Sequence, residues 1–347
     1  MFVAWRDLRF AKGRFALMGA VVVLITLLVG LLSGLTAGLA RDNTSAVGAL
    51  PADRLAFAAP PSGQSASFTN SVVPSATWRA WRQAPGVRDA QPLAISTLNA
   101  KAGERTAAVS SFAVPPSSPL APFEVRAGSV VLSRGAADDL AAKAGDRLTL
   151  GGRTLSVAAV TGEDSYSHTP VVWTALAPDA PATVVALTLE DGADLAATDK
   201  ALGTTTLTLA GALSALPSYQ AENGSLQLMR GFLFVISALV VGAFFTIWTI
   251  QRSGDIAVLK ALGASTPYLL KDALGQAVVM LTAGTLIGTG LAALAGSLVG
   301  ASVPFVLDPA TTLGPAAVLI VLGVLGAALS IRRITAVDPL TALGSAR

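Results

Sequence analysis

Apolar and charged positions are sorted along this chain on a coarse grain. Four stretches, Phe15–Ala40, Gly231–Ile250, Ala273–Leu307 and Pro309–Ile331, contain no Asp, Glu, Lys, Arg or His. A bilayer core about 30 Å thick needs roughly 20 apolar helical residues, and each stretch supplies them. The pattern predicts membrane-spanning helices at 15–40, 231–250, 273–303 and 313–331. The third run exceeds one span, so it bends near Pro304 and returns through Pro309, leaving 304–312 as a short turn. The gap from 41 to 230 holds more than half of the chain and predicts one large water-exposed domain.

Inside that gap the periodicity is short and mixed. Trp78–Gln83 has the spacing of a brief helix, and Pro92–Asn99 and Thr106–Val114 flank Lys101-Ala102-Gly103-Glu104 as a hairpin. Val130–Ser133, Asp138–Ala144, Arg147–Leu150, Thr154–Val160 and Val171–Thr174 predict strand, helix, strand, strand and strand, with a turn at Gly151-Gly152. This second half is expected to be a small barrel-like or sheet-rich subdomain. Pro60–Ser67 and Val114–Pro122 are rich in Pro, Ser and Gly and predict loops. The expected class is therefore an α-helical membrane protein of four transmembrane helices, with a mixed α/β extracytoplasmic domain between helices 1 and 2.

Composition strengthens this picture, since only 13% of residues are charged and 52% are hydrophobic, too apolar for an ordinary soluble surface. With no cysteine, the large domain must fold on a hydrophobic core without disulfides. The net charge of +3 divides unevenly, with +6 on the segments 1–14, 251–272 and 332–347, −2 on 41–230 and −1 on Asp308. By the positive-inside rule both termini and the 251–272 loop are cytoplasmic, and 41–230 is outside. The basic residues thus report topology, and no nucleic-acid surface is implied. The first apolar run is longer than a signal peptide's apolar region, so it is expected to remain as an anchor. Ahead of it, segment 1–14 has the spacing of a helix lying in the inner interface among membrane lipids, or simply supplies the basic charge that flanks a span.

Gly30, Gly34 and Gly38 recur every fourth residue on one face of the first helix, which permits close approach of another helix, from the same chain or from a second copy. Gly284 with Gly288 and Gly296 with Gly300 repeat the spacing. No ionisable residue lies deep in any span, which argues against an ion-coupled transporter. Enzymatic signatures are missing too. His168 is the only histidine, it stands in a polar loop, Gly162–Pro170, and no nucleophile elbow, zinc helix or phosphate-binding loop occurs. ATP-driven work would require a partner chain. The segment after the second span, Arg252–Ala264, reads as a short helix with Ile256 and Leu259 exposed to the cytoplasm and Gly263 as its stop. Apolar residues in that position need something to cover them.

Asp255-Ile256-Ala257-Val258-Leu259-Lys260-Ala261-Leu262-Gly263-Ala264 and the closing Asp338-Pro339-Leu340-Thr341-Ala342-Leu343 resemble signature segments of the FtsX-like/MacB-like family of ABC-transporter permeases. The order of one helix, a large outer domain and three helices resembles it as well. The resemblance implies a homodimeric permease in the cell membrane working with two copies of a separate cytoplasmic ATP-binding cassette ATPase, coupled through Asp255, Ile256, Leu259, Lys260, Leu262 and Gly263. It implies no catalytic residue in this chain. Family members move hydrophobic or amphipathic cargo or transmit force to outer-face partners.

The outer end of the second span is where cargo would enter. Tyr219 and Glu222 precede the apolar run, Met229 and Arg230 stand at its mouth, and Glu222, Met229 and Arg230 fall on one helical face if the helix begins early. A carboxylate over an apolar slot suits ferric haem, whose hard iron accepts oxygen, while an arginine pairs with a propionate. Glu222 is then the candidate iron ligand, and the size of the chain resembles the haem-exporting, HrtB-type branch of the family. The alternatives are export of a lipid, lipoprotein or antimicrobial peptide, or non-transporting regulation of an envelope enzyme. In the blander reading, Glu222 and Arg230 are interfacial charges near a helix start.

Overall fold

The computed structural model describes residues 12–251, 254, 258, 263–299 and 303–335. It divides into two compact units, one built from the chain up to Gly38 and from Ser225 onward, the other from Leu39–Gly224. The elements in order are α1 (Lys12–Gly48), β1 (Arg54–Ala58), α2 (Ser75–Trp81), β2 (Val87–Ala102), β3 (Arg105–Val114) and β4 (Ser129–Leu132). They continue with α3 (Arg134–Leu140), β5 (Arg147–Leu150), β6 (Arg153–Val160), β7 (Ser165–Tyr166), β8 (Thr169–Ala175) and β9 (Val184–Leu189). The last six are α4 (Ala196–Leu202), β10 (Thr204–Thr208), α5 (Leu209–Leu213), α6 (Pro217–Gln251), α7 (Thr266–Val299) and α8 (Pro309–Thr335).

Among the described residues, four helices are long and apolar enough to cross a membrane, within Ala16–Gly48, Pro217–Trp248, Pro267–Leu298 and Pro309–Leu329. Met18, Val22, Val241, Phe245, Ala277, Leu281 and Ala327 form a buried cluster among them. Leu24, Leu239, Leu298 and Leu329 point outward and are more than half exposed, as lipid-facing side chains must be when the hydrocarbon itself is the solvent. Prolines start these helices cleanly, at Pro217 and Pro309, where a missing N–H costs nothing. Asp308 and Thr311 cap α8 reciprocally. The Thr311 N–H donates to Asp308 Oδ1 at 2.7 Å and the Asp308 N–H to Thr311 Oγ1 at 3.1 Å, the geometry of a capping box.

The glycines of α1 are filled from within the chain. A Cβ on Gly30 would fall 2.8 Å from that of Ala292, one on Gly34 would overlap the Phe305 ring, and one on Gly38 would overlap the backbone carbonyl of Pro304. The Val306 N–H donates to the Gly34 carbonyl at 3.1 Å. Close approach there seats the segment leading into α8.

In the second unit the strands run β10-β1-β9-β2-β3-β8-β4-β6-β5, and β5 also pairs with β2. The ring β2-β3-β8-β4-β6-β5 therefore closes on itself as a small barrel, the solution that leaves no unpaired strand edge. Strand β2 is long enough to serve twice. Ala94–Ala102 pair with β3, while Val87–Leu93 pair with β9 in a four-stranded extension. Each half has its own core: Leu132, Leu140, Val157 and Val172 in the barrel, and Trp78, Trp81, Val185 and Leu187 where α2 covers the extension. Between them runs an edge-on aromatic series, Phe57, Phe68, Tyr166, Phe112 and Trp173.

Two details depart from the sequence pattern. The helix expected at Asp138–Ala144 lies earlier, at Arg134–Leu140, because Ser133 accepts the Ala136 N–H as its N-cap and Ala141 turns left-handed, with φ 49°, to end it. Strands β1, β9 and β10, with α4 and α5, have no counterpart in the expected elements. They lie outside the segments with clear alternation and gain their order from pairing with distant chain, β1 between β9 and β10.

Candidate functional site

Helices α1 and α6 both extend past their apolar stretches into the α/β unit. Residues 39–48 of α1 and 217–224 of α6 belong to that unit, and their polar side chains find partners there. The Asn43 side chain is fully buried. Its Oδ1 accepts from Ser218 Oγ at 3.0 Å, and its Nδ2 donates to Glu222 Oε2 at 3.4 Å. One turn of the chain between β7 and β8 completes the cluster.

Ser165–Pro170 and Tyr166–Thr169 are paired across that hairpin, so Ser167 and His168 are its two loop residues. Both have positive φ, 50° and 61°, as a two-residue type I′ loop demands. Such loops favour Asn and Gly, and a serine and a histidine adopt this backbone at a cost. The Ser167 N–H donates to the Asn43 carbonyl at 3.0 Å, and Ser165 and Ser45 exchange two hydrogen bonds, 2.9 Å and 3.2 Å. The strained loop is thereby fastened to α1.

The fastening presents His168 to two carboxylates. Its Nδ1 lies 3.0 Å from Asp42 Oδ2, and its Nε2 lies 2.9 Å from both oxygens of Glu222. A neutral imidazole donates from only one nitrogen, whereas an imidazolium serves both carboxylates. In the charged state Asn43 Nδ2, 3.2 Å from Nε2, directs its proton to Glu222 instead. Burial is the largest single influence on His168 and lowers its pKa. The hydrogen bonds and charges of Asp42 and Glu222 together outweigh it, and the net direction is upward. Nearby, burial raises the Asp164 carboxyl against the opposing pull of Arg41.

Although Asp42, His168 and Glu222 are three potential metal ligands, they do not converge on one point. The carboxylates occupy opposite sides of the imidazole ring, and among the described residues no group of three such side chains could hold a metal ion. The arrangement is a clamp on Glu222, with the histidine as its centre.

The other sequence candidates are placed as follows. Tyr219 packs against the buried aromatic core and does not hydrogen-bond in the clamp. Glu222 is in the second turn of α6, beyond the orphan N–H groups of the helix start, so its carboxylate is held by side chains and not by the helix end. Met229, 55% exposed, and the half-buried Arg230 stand further along the same uninterrupted helix, in the helical unit. Asp255, Ile256, Leu259, Lys260 and Leu262 lie outside the described residues. Gly263 has φ 94°, a backbone that favours glycine. His168 stands in a loop, as the polar stretch predicts, and its two carboxylate partners there were not foreseen. Asp42, Asn43 and Ser218 were not singled out in the sequence at all, and the one available signal was that Asp42 and Asn43 follow directly on an apolar stretch.

Residues 17–205 match the MacB-like periplasmic core domain family, and residues 228–339 match the FtsX-like permease C-terminal family. A protein from Staphylococcus haemolyticus named putative hemin transport system permease protein HrtB is 36% identical over 129 residues, 37% of each chain. The chain thus spans well under half the length of that relative. An uncharacterized ABC transporter permease of Mycobacterium bovis is 28% identical over 272 residues, 76% of each chain. Among solved structures, the periplasmic region of MacB from Actinobacillus actinomycetemcomitans aligns with a TM-score of 0.36 at 9% identity, covering 50% of this chain and 94% of that one. Four membrane-length helices, an α/β domain between the first two, and matches that together run from the first span to the tail establish that this chain belongs to the FtsX-like/MacB-like family of ABC-transporter permeases.

Proposed function

We propose that the chain is the permease subunit of an ABC-type exporter for a hydrophobic or amphipathic cargo, with haem as that cargo and Glu222 as the group that meets its iron. The carrying observation is the clamp. Glu222 is a carboxylate on the helix that continues into the apolar span, its side chain is 41% exposed, and its orientation is set by His168 and Asn43. Ferric iron accepts such an oxygen donor, and a carboxylate already shared with an imidazole ligates weakly enough to let cargo go. The relatives named for hemin transport favour this cargo over lipid or peptide.

In this reading Met229 supplies apolar contact and Arg230 pairs with a propionate, while Tyr219 supports the helix start from the domain core. The α/β domain and the turn around Asp308 are extracytoplasmic, both termini are cytoplasmic, and two copies of the chain work with two copies of a separate ATPase. Residues 255–263 form the coupling element. Its glycine at φ 94° cannot be replaced by proline, whose ring fixes φ near −65°. Gly263→Pro or Leu259→Asp should therefore abolish co-purification of the ATPase while insertion persists.

The direct test is a haem titration of the purified full chain beside Glu222→Ala, followed by absorption. A saturable, shifted Soret band that weakens in the variant supports haem as cargo through Glu222. Identical, non-saturable spectra for both proteins would overturn it and bring lipid or peptide cargo forward.

A further inference from the structure

A second place in the α/β unit is built to receive a ligand, and it involves neither Glu222 nor the membrane helices. Where the barrel meets the four-stranded extension there is an open cleft of about 920 Å³, at the upper end of the size range of small-molecule sites. One wall is apolar, formed by Leu98 of β2, Leu150 and Leu155 of the β5–β6 hairpin, and Leu176 after β8. The cationic groups come from two elements: Arg79 and Arg82 at the end of α2, and Arg153 on the hairpin. Among the described residues no Asp or Glu lines it.

The cationic side is pre-arranged. Trp78 is buried and its Nε1–H donates to the Ala180 carbonyl at 3.2 Å, which fixes the indole. Both guanidinium carbons, of Arg79 and Arg82, lie 5.1 Å from the centre of the Trp78 rings, within range for a cation–π contact. Arg79 is already committed, since it pairs with Asp179 and donates to the Pro178 carbonyl at 2.9 Å. Arg82 uses only its Nε, toward the Ala90 carbonyl at 3.0 Å, so its terminal amino groups remain to face the cleft. Two like charges held over one indole with a single carboxylate between them leave a local positive excess, and Arg153 adds to it. At the floor, Ser111 and Thr174 share one hydrogen bond, 3.0 Å between their oxygens, which leaves one hydroxyl proton for a ligand.

We propose that this cleft binds an amphipathic organic anion, its apolar body against the leucines and its carboxylate, sulfonate or phosphate on Arg82 and Arg153. A cation is excluded by the arginines, and a neutral apolar molecule would leave their charges uncompensated beside it. An extended peptide finds no free strand edge, because the barrel is closed on this side by the β2–β5 pairing.

The test uses the full chain in nanodiscs of zwitterionic lipid and two fluorescent probes of the same aromatic body, 1-anilinonaphthalene-8-sulfonate and the uncharged N-phenyl-1-naphthylamine, each corrected with empty nanodiscs. The sulfonate is expected to bind saturably at one site per chain and the amine at least about tenfold more weakly, which corresponds to about 1.4 kcal/mol for the charged contact. Arg82→Glu/Arg153→Glu should lower sulfonate affinity by at least about the same factor. Arg153→Glu alone changes an exposed side chain and serves where the double variant is poorly folded, with a smaller loss in the same direction. Equal sulfonate binding by the wild type and both variants, or equal affinity for the two probes, would overturn the proposal.

Discussion

Breaking the His168–Glu222 contact should weaken the α/β unit by an amount that depends on pH in a defined direction. A hydrogen bond to a charged group contributes about 1.5–3 kcal/mol when shielded. Here the side chains of His168 and Glu222 are 31% and 41% exposed, so solvent screening brings the pair toward the surface range, and about 1 kcal/mol is expected. The strained backbone at His168 is common to histidine and alanine, so it cancels in a cycle of His168→Ala, Glu222→Gln and the double variant. Because the folded-state pKa of His168 is raised, the coupling is fully present below the unfolded value, about 6.5, and is lost as pH rises through the folded pKa. Thermal unfolding of the full chain in nanodiscs, at about pH 6 and about pH 9, reads this out. A coupling of 1 kcal/mol moves the midpoint by about 2–4 °C for a domain of this size. A coupling of zero at the lower pH, or one that persists unchanged at the higher, would show that the charged clamp does not operate in solution.

Three further outcomes follow from packing. Gly38→Val should lower the midpoint of the helical unit, because its side chain must displace the Pro304 backbone, whereas Gly290→Ala, with nothing within 4 Å of the new methyl, should be tolerated; thermal unfolding distinguishes them. Phe112→Ala removes a fully buried ring that stacks edge-on Tyr166 at 5.5 Å and Trp173 at 5.3 Å, and should cost about 3–5 kcal/mol, seen as faster hydrogen exchange throughout the barrel. Thr26 and Thr285 line a cavity of about 10 Å³ among the membrane helices, and neither hydroxyl has a hydrogen-bond partner among the described residues. Removing an unpaired buried hydroxyl relieves about 1–3 kcal/mol of desolvation, so Thr285→Val should leave the midpoint unchanged or raise it, and a clear fall in a thermal scan would mean that the hydroxyl is satisfied.

What was legible in the sequence is what local physics dictates. A charge-free run must seek hydrocarbon, so the four long helices stand where the apolar stretches are. The barrel strands β2, β3, β4, β5, β6 and β8 alternate strongly enough to announce themselves, whereas β7 falls in the stretch that reads as a loop. Strands β1, β9 and β10 do not, because Arg54–Ala58 and Thr204–Thr208 are short and gain their order only from pairing across about 150 residues of chain. The ends of α1 and α6 were illegible for a related reason. Arg41, Asp42 and Asn43 look like the end of an apolar run, yet the helix carries them onward to Gly48 since the polar groups of Asp42 and Asn43 are satisfied by the hairpin loop and by the other helix.

The same logic explains why Glu222 could be picked out but its environment could not. A carboxylate just before an apolar helix is visible in one dimension. Its partners Asn43 and His168 lie 179 and 54 residues away, in segments that carry no motif of their own, and only the folded domain brings them together. The backbone cost of placing a histidine at φ 61° is offset by two carboxylate partners that no glycine or asparagine could satisfy together. That local conflict, an unfavourable loop residue retained beside a pair of acids, is a stronger pointer to a site than Glu222 alone, because packing by itself would have been served better by Asn-Gly. The His168→Gly variant separates the two demands. It relieves the strained turn while deleting the clamp, so it should unfold at a higher temperature than His168→Ala yet share its full loss of coupling to Glu222. If the glycine and alanine variants unfold together, the loop is unstrained and the argument from conflict fails.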